Sequence, residues 1–213
     1  MELRDQLSEG LKQIKLPCSV RQREQLEAYL YLIQKWNQTY NLVADSRTDL
    51  LLTRHLFDCL SVLPLIAVET ATRVLDVGTG AGLPGIPWAI LHPDSQFTLL
   101  DSNGKKTRFL FHVKVALKLQ NVNIENSRLE FYQPTAPLDI VVSRAFASLS
   151  IITKQARKLM GDQTRLIALK GRLPRAELTK LPLAFEALDI QKVAVPSLCE
   201  ERHVVTVVKK KCS

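Results

Sequence analysis

Val74-Leu75-Asp76-Val77-Gly78-Thr79-Gly80-Ala81-Gly82-Leu83-Pro84-Gly85 is the stretch that decides the fold. It starts as an apolar, β-branched run with one carboxylate inside it. It then breaks into alternating glycines and enters a segment, Ile86 to Leu91, that can be helical. A buried strand, a glycine turn and a helix in that order form a cradle. Glycine lets the backbone approach a ligand closely, and a helix N-terminus supplies free N–H groups. Further on, the apolar run Phe97-Thr98-Leu99-Leu100 ends in Asp101. An acid at the tip of the second strand is placed to accept hydrogen bonds from ribose hydroxyls.

The glycines read in two ways. Gly80-x-Gly82-x-x-Gly85 matches the dinucleotide fingerprint of nicotinamide enzymes. Asp76-x-Gly78-x-Gly80-x-Gly82 resembles the nucleoside motif of Rossmann-like S-adenosylmethionine (SAM) methyltransferases, where an acid precedes the first glycine by two. The carboxylate favours the second reading. Buried, it needs a partner, and a cofactor with a cationic amino-acid end needs anionic groups nearby.

Working outward, residues 1–68 read as a helical extension and 69–213 as the α/β domain that carries the cradle. Leu3, Leu7, Leu11 and Ile14 keep helical spacing, and Pro17 ends that helix. Ser19-x-x-Gln22 is a capping box for a second helix, with Leu26, Tyr29, Leu30, Ile33 and Trp36 as its buried stripe. Residues 37–41 read as a polar loop. A third helix is predicted over about 49–63. On it Arg54 and Asp58 share a face and can pair, and the polar edge with His55 can order the neighbouring cofactor loop. Residues 67–72 are the only linker-like segment.

From Arg73 short apolar runs alternate with amphipathic stretches. Strands are predicted near 73–78, 96–101, 121–125, 138–142, 164–169, 186–194 and 202–209. Helices are predicted near 84–91, 104–118, 148–159 and 174–181. The alternation implies a parallel sheet with helices on both faces. The last two strands are joined without a helix, which permits only antiparallel pairing. A seven-stranded, mostly parallel sheet with its last strand antiparallel is the architecture the methyltransferase resemblance implies. It leaves no sequence for the catalytic domain a dehydrogenase needs.

Ligands bind at the carboxyl ends of the strands in such sheets. Gly78, Gly80, Gly82 and Leu83 surround the methionine part of the cofactor in this reading, with Asp76 and Asp101 as its acids. Leu129 and Glu130, after the third strand, lie beside the adenine. Strand four ends in Ser143-Arg144-Ala145-Phe146-Ala147. An Arg emerging from an apolar strand is costly without a partner, so Arg144 is assigned to the site. Lys170, ending strand five, plays the same part.

The 213 residues carry 29 Lys+Arg against 21 Asp+Glu, a net charge of +8 that favours an anionic partner. The basic residues cluster. From Ser102 to Ile124 there are five, Lys105, Lys106, Arg108, Lys114 and Lys118, and no acid. From Ser143 to Ala176 there are eight, Arg172 and Arg175 among them, against one acid, Asp162. Two such runs beside the cofactor mouth form a phosphate-tracking surface, with Lys105, Lys106, Arg108, Arg172 and Arg175 as candidate RNA contacts. Lys209 to Lys211 read as a basic tail. The four scattered cysteines, Cys18, Cys59, Cys199 and Cys212, suggest neither a metal site nor a disulfide framework. The charged start is no signal peptide, and the longest apolar run near the front, Val62 to Val68, is too short to span a bilayer. A cytoplasmic protein with no membrane association follows.

The motifs together resemble one family. They are Lys35-Trp36-Asn37 with Tyr40-Asn41-Leu42; Arg54-His55 with Asp58 and Ser61; Asp76 through Pro87; Leu100-Asp101-Ser102 with Lys105; Ser143 through Ala147; Lys170-Gly171; and Glu201-Arg202-His203. In this order they are similar to the RsmG (GidB) family, bacterial SAM-dependent methyltransferases acting on guanosine N7 in 16S, small-subunit ribosomal RNA. The chain departs from the family at Ala81, a frequent proline, at Val43, usually threonine, and at Glu200, often glycine. The resemblance implies that Gly78, Leu83, Leu129, Glu130 and Arg144 contact SAM, and that the substrate is 16S rRNA or the small subunit. A monomer without metal is expected. Guanine N7 carries an in-plane lone pair, so no general base is needed, and Arg144 and Lys170 are expected to position the substrate. Two rivals differ in prediction. A non-catalytic RNA-binding module would not bind SAM, and a small-molecule methyltransferase would show little salt dependence of substrate affinity.

Overall fold

The structure, a computed structural model, describes residues 2–210. Lys211 and Cys212 lie outside the described residues. The apolar runs form β1 (Arg73–Val77), β2 (Gln96–Leu100), β3 (Val122–Glu125), β4 (Ile140–Arg144), β5 (Arg165–Lys170), β6 (Phe185–Lys192) and β7 (His203–Lys209). They make one sheet of order β3-β2-β1-β4-β5-β7-β6. β1 to β5 pair in parallel. β7 is antiparallel to both neighbours, β5 and β6, so it alone runs against the other strands. The segment between β6 and β7 is too short for a crossover, which forces this arrangement. Lys170 of β5 and Lys192 of β6 both register with His203. The start of β7 therefore lies at the same sheet edge as the carboxyl ends of the parallel strands.

The helices are α1 (Leu3–Ile14), α2 (Val20–Tyr40), α3 (Thr48–Leu50), α4 (Asp58–Leu60), α5 (Gly85–Leu91), α6 (Gly104–Ala116), α7 (Leu149–Ala156) and α8 (Arg175–Leu178). The capping box at Ser19 forms as its spacing predicts. Two expectations are corrected. Residues 37–40 are the last turn of α2, not a loop. Trp36 and Tyr40, one turn apart, stack at 5.2 Å, and the helix ends only at Asn41, in the left-handed region at φ 48°. The predicted third helix is not a uniform α-helix. Leu51–Phe57 is a π-helix between α3 and α4, and Leu63–Leu65 is a separate 3-10 turn. Wide π turns occur frequently at functional sites, and this one carries Arg54 and His55.

Side chains alternate across the sheet with the strand period of two. Val74, Phe97, Leu99, Ile140, Val142 and Ile167 join one buried cluster with Leu26, Leu30, Ile33, Leu56, Leu60, Ile86, Trp88 and Phe109. Leu75, Val77, Leu100, Val141, Leu166 and Ala168 join another with Leu149, Ile152 and Ala156 of α7. Residues from α1, α2 and α4 thus share one apolar core with α5 and α6. Trp88 is fully buried, and its indole N–H donates to the Cys59 carbonyl at 2.9 Å.

Candidate functional site

The cradle is built around Asp76, which is 1% exposed. Its Oδ2 accepts from the Thr79 hydroxyl at 2.6 Å and from the Gly85 N–H at 2.8 Å. The carboxylate thus satisfies the first free N–H of α5, whose N-cap residue, Pro84, offers no side-chain cap of its own. Asp76 Oδ1 is buried and has no hydrogen-bond partner. Burial pushes the Asp76 carboxyl up to about 6, against the opposing pull of the Thr79 and Gly85 bonds. An orphaned anionic oxygen at this place fits a cationic ligand group.

The loop is held from three sides. The N–H groups of Gly78 and Thr79 both donate to the Leu100 carbonyl, at 2.9 and 3.1 Å. The Gly80 N–H donates to Asp101 Oδ2 at 3.0 Å. From α2, the fully buried Tyr29 hydroxyl donates to the Ala81 carbonyl at 2.7 Å. Gly82 has φ +94°, and a Cβ there would lie 2.5 Å from Ile86 Cγ1 and 2.9 Å from Leu110 Cδ2. The position therefore excludes a side chain both by conformation and by space.

At the carboxyl ends of β1 and β2 a cleft of about 510 Å³ opens, lined by Gly78, Asp101, Lys106, Leu129, Glu130 and Phe146 among others. Asp101 Oδ1 accepts from the Asn103 N–H at 2.9 Å, and Lys106 Nζ stands 3.8 Å from Oδ2. Each carboxylate oxygen keeps a lone pair for a further donor. Leu129 is buried, and Glu130 Oε1 accepts from the Gln155 amide at 2.7 Å. The Phe146 ring covers the open face of Gly78, and a Cβ on Gly78 would meet it at 2.2 Å. Of the cofactor residues predicted from sequence, Gly78, Asp101, Leu129 and Glu130 line this cleft. Asp76, Gly80 and Gly82 shape the loop behind it, Leu83 packs in the core, and Arg144, also expected to contact the cofactor, lines a neighbouring cleft instead.

A second cleft of about 410 Å³ lies across Ala145, the residue both clefts share, which has φ +52°. Arg54, His55, Asp58, Arg144, Lys170 and Arg202 are among its lining residues. Arg144 Nη1 lies 3.3 Å from both the Arg54 carbonyl and Asp58 Oδ2, and 3.4 Å from His55 Nδ1. Burial, and then the Arg144 and Arg54 charges, push the His55 pKa down to about 4. The ring is therefore neutral near pH 7, and Nδ1 accepts from Arg144. Arg54 and Asp58 do not pair with each other, as helical spacing suggested. Arg54 pairs with Glu200, and Asp58 with Arg144 and Arg202.

Lys170 Nζ donates to Glu177 Oε2 at 2.8 Å and to the Ala147 carbonyl at 3.1 Å, so its charge faces a carboxylate inside the chain. The sequence reading assigned no role at this site to Arg202, His203 or Glu200. The signal for Arg202 and His203 was the Glu201-Arg202-His203 motif itself, and Glu200 stood out as a departure from the family's usual glycine. Lys105, Arg108, Arg172 and Arg175 are exposed and Lys106 is half-buried. The first group follows β2 beside the cofactor cleft, and the Arg172 pair follows β5 beside the second. Burial drives the Cys59 thiol up to about 12, so it is no nucleophile. Among the described residues no cluster of three or more His, Cys, Asp or Glu side chains is placed to hold a metal ion. No described helix is long and apolar enough to cross a membrane.

A seven-stranded sheet with one inserted antiparallel strand, and with clefts at the carboxyl ends of β1, β2 and β4, defines a Rossmann-like methyltransferase. Solved structures share the fold. TrmN from Thermus thermophilus superposes with a TM-score of 0.55 at 19% identity, over 71% of this chain and 48% of that one. Fibrillarin from Aeropyrum pernix, solved with natively bound S-adenosyl-L-methionine, gives 0.57 at 15% identity, over 71% of this chain and 73% of that one. Sequence places the chain more closely. The profile of the GidB family, rRNA small subunit methyltransferase G, matches residues 22–205. Ribosomal RNA small subunit methyltransferase G of Pseudomonas entomophila is 46% identical over 206 residues, 97% of this chain and 95% of that protein. The corresponding protein of Ectopseudomonas mendocina is 46% identical over 201 residues, 94% of each. The chain belongs to this family.

Proposed function

We propose that this protein transfers a methyl group from S-adenosylmethionine to N7 of a guanosine in 16S ribosomal RNA, as a cytoplasmic monomer acting on the rRNA or the small subunit. The observation that carries the reading is the pair of clefts that meet at Ala145, one lined by Gly78, Asp101, Leu129 and Glu130, the other rimmed by cations. In the first, Asp101 would hold the ribose hydroxyls, Leu129 the adenine face and the Gly78 backbone the amino-acid end, with the negative charge of Asp76 behind the loop. Bound there, SAM supplies an electrophilic methyl group.

The chain's own work is alignment. A guanine N7 lone pair attacks without losing a proton, so the site needs no general base, and neutral His55 is engaged with Arg144. Holding two reactants in line supplies much of the rate. Arg144 and Lys170 serve as substrate-positioning residues, and the exposed Lys105, Arg108, Arg172 and Arg175, with Lys106, track RNA phosphates on either side. Reaching a base inside folded RNA requires local splaying.

The test is incubation of deproteinised rRNA and small-subunit particles with labelled SAM, followed by mapping of the modified nucleoside. Label at guanosine N7 is expected. Label elsewhere, or none with SAM binding intact, overturns the reading. Arg144→Ala and Lys170→Ala are expected to reduce transfer at subsaturating RNA.

A further inference from the structure

Asp58 is nearly enclosed, with an 11% exposed side chain, and its two oxygens serve two different guanidiniums. Oδ2 lies 3.3 Å from Arg144 Nη1, and Oδ1 lies 2.8 Å from Arg202 Nε. Both arginines line the second cleft, and their side chains are 18% and 19% exposed. The three residues come from distant parts of the chain: the segment after the π-helix, the tip of β4, and the approach to β7.

Every other contact on the two arginines is also an acceptor. Arg144 meets the Arg54 carbonyl and His55 Nδ1. Arg202 donates to the Glu201 carbonyl at 2.8 Å and to Glu200 Oε2 at 3.1 Å. Glu200 also pairs with Arg54. The arginines are thus held side by side by a carboxylate that neither can capture alone. Arg144 makes its contacts through the η nitrogens, which leaves Nε and part of Nη2 for a ligand, and Arg202, whose three nitrogens each donate once, keeps one further N–H on each of Nη1 and Nη2.

The reaction decides what such a pair can grip. An arginine fork on guanine ordinarily takes O6 and N7 together. Here N7 must stay bare to attack, so the bidentate base contact is forbidden. The other acceptor in the substrate that a guanidinium can take bidentately is a phosphodiester, through its two non-bridging oxygens.

Resting on the proposed function, we infer that Arg144 and Arg202 form a paired clamp for the phosphodiester flanking the acceptor guanosine, and that Asp58 is the positioning residue that holds the clamp in place. The basic surface outside the clefts steers the RNA, and the clamp fixes its register.

The test compares Arg202→Ala, Arg202→Lys and Asp58→Asn with the wild type. Each preparation is normalised to SAM-binding sites by equilibrium dialysis and assayed well below its melting temperature. Arg202→Ala is expected to weaken RNA binding about tenfold and to flatten the slope of log Kd against log salt by about one, the mark of one lost phosphate contact. Arg202→Lys should restore the slope but not the rate, because a point charge lacks the fork. Asp58→Asn should keep the salt slope and RNA affinity while kcat falls about 30-fold, since both positive charges remain but lose their common anchor. An unchanged slope in Arg202→Ala, or wild-type kcat per SAM site in Asp58→Asn, overturns the clamp. A wild-type protein that transfers no methyl group to rRNA overturns the proposed function instead.

Discussion

Asp76→Asn is expected to stabilise the ligand-free protein at neutral pH while weakening its hold on SAM. Burial raises the Asp76 carboxyl from 3.8 to about 6. A carboxyl raised in the folded state contributes stability below its unfolded pKa and loses it as pH rises through the folded value. Roughly two units at 1.36 kcal/mol each give about 3 kcal/mol in all. About 2 kcal/mol of that loss falls between pH 4.5 and 7.5. The asparagine oxygen keeps the bonds from Thr79 and Gly85, and the amide carries no charge to bury. Its N–H₂ group takes the place of the unpartnered Oδ1, at a cost of about 1–2 kcal/mol that does not change with pH. Urea denaturation across this range should therefore show the Asn variant gaining about 2 kcal/mol on the wild type as pH rises. Equilibrium dialysis with labelled SAM at pH 7.5 should show affinity reduced at least tenfold, because the anionic oxygen is gone. Parallel stability profiles for the two proteins would refute the burial argument. Unchanged SAM affinity would refute the role given to Oδ1.

Other perturbations probe the same frame. Gly82→Ala places a Cβ 2.5 Å from Ile86 Cγ1 at φ +94°, so a loss of at least 2 kcal/mol is expected from strain and overpacking together, read as a lowered melting temperature with weaker SAM binding. Tyr29→Phe leaves the buried Ala81 carbonyl without its donor and should cost about 1–3 kcal/mol; SAM affinity should fall with it, linking α2 to the cradle. His55 is held neutral, its pKa lowered to about 4 by burial and the neighbouring arginines. Its contribution is present above the unfolded pKa near 6.5 and lost as pH falls towards 4. His55→Gln should flatten the acid limb of the stability profile and leave methyl transfer between pH 7 and 8 without a new titration.

Much of the fold was legible because it rests on local signals. Short apolar runs, the capping box at Ser19 and the helix-free link between β6 and β7 each act within a few residues. The polar stretch at 37–40 was misread because a ring stack one turn apart outweighs the helix indifference of Asn, Gln and Thr. The π-helix at Leu51–Phe57 left no periodic trace. Its side chains are apolar at spacings that suit either helix.

What the sequence determined by itself about this protein is the cradle. Asp76 and its glycines are contiguous, and Asp101 follows on the next strand, so their chemistry is written in spacing. What only the tertiary structure decided is the second cleft. Asp58, Arg144 and Arg202 lie far apart along the chain, and helical spacing instead pointed Asp58 to Arg54. A carboxylate takes the partners that burial brings within reach, and here β4 and the antiparallel β7 deliver both arginines to the same sheet edge.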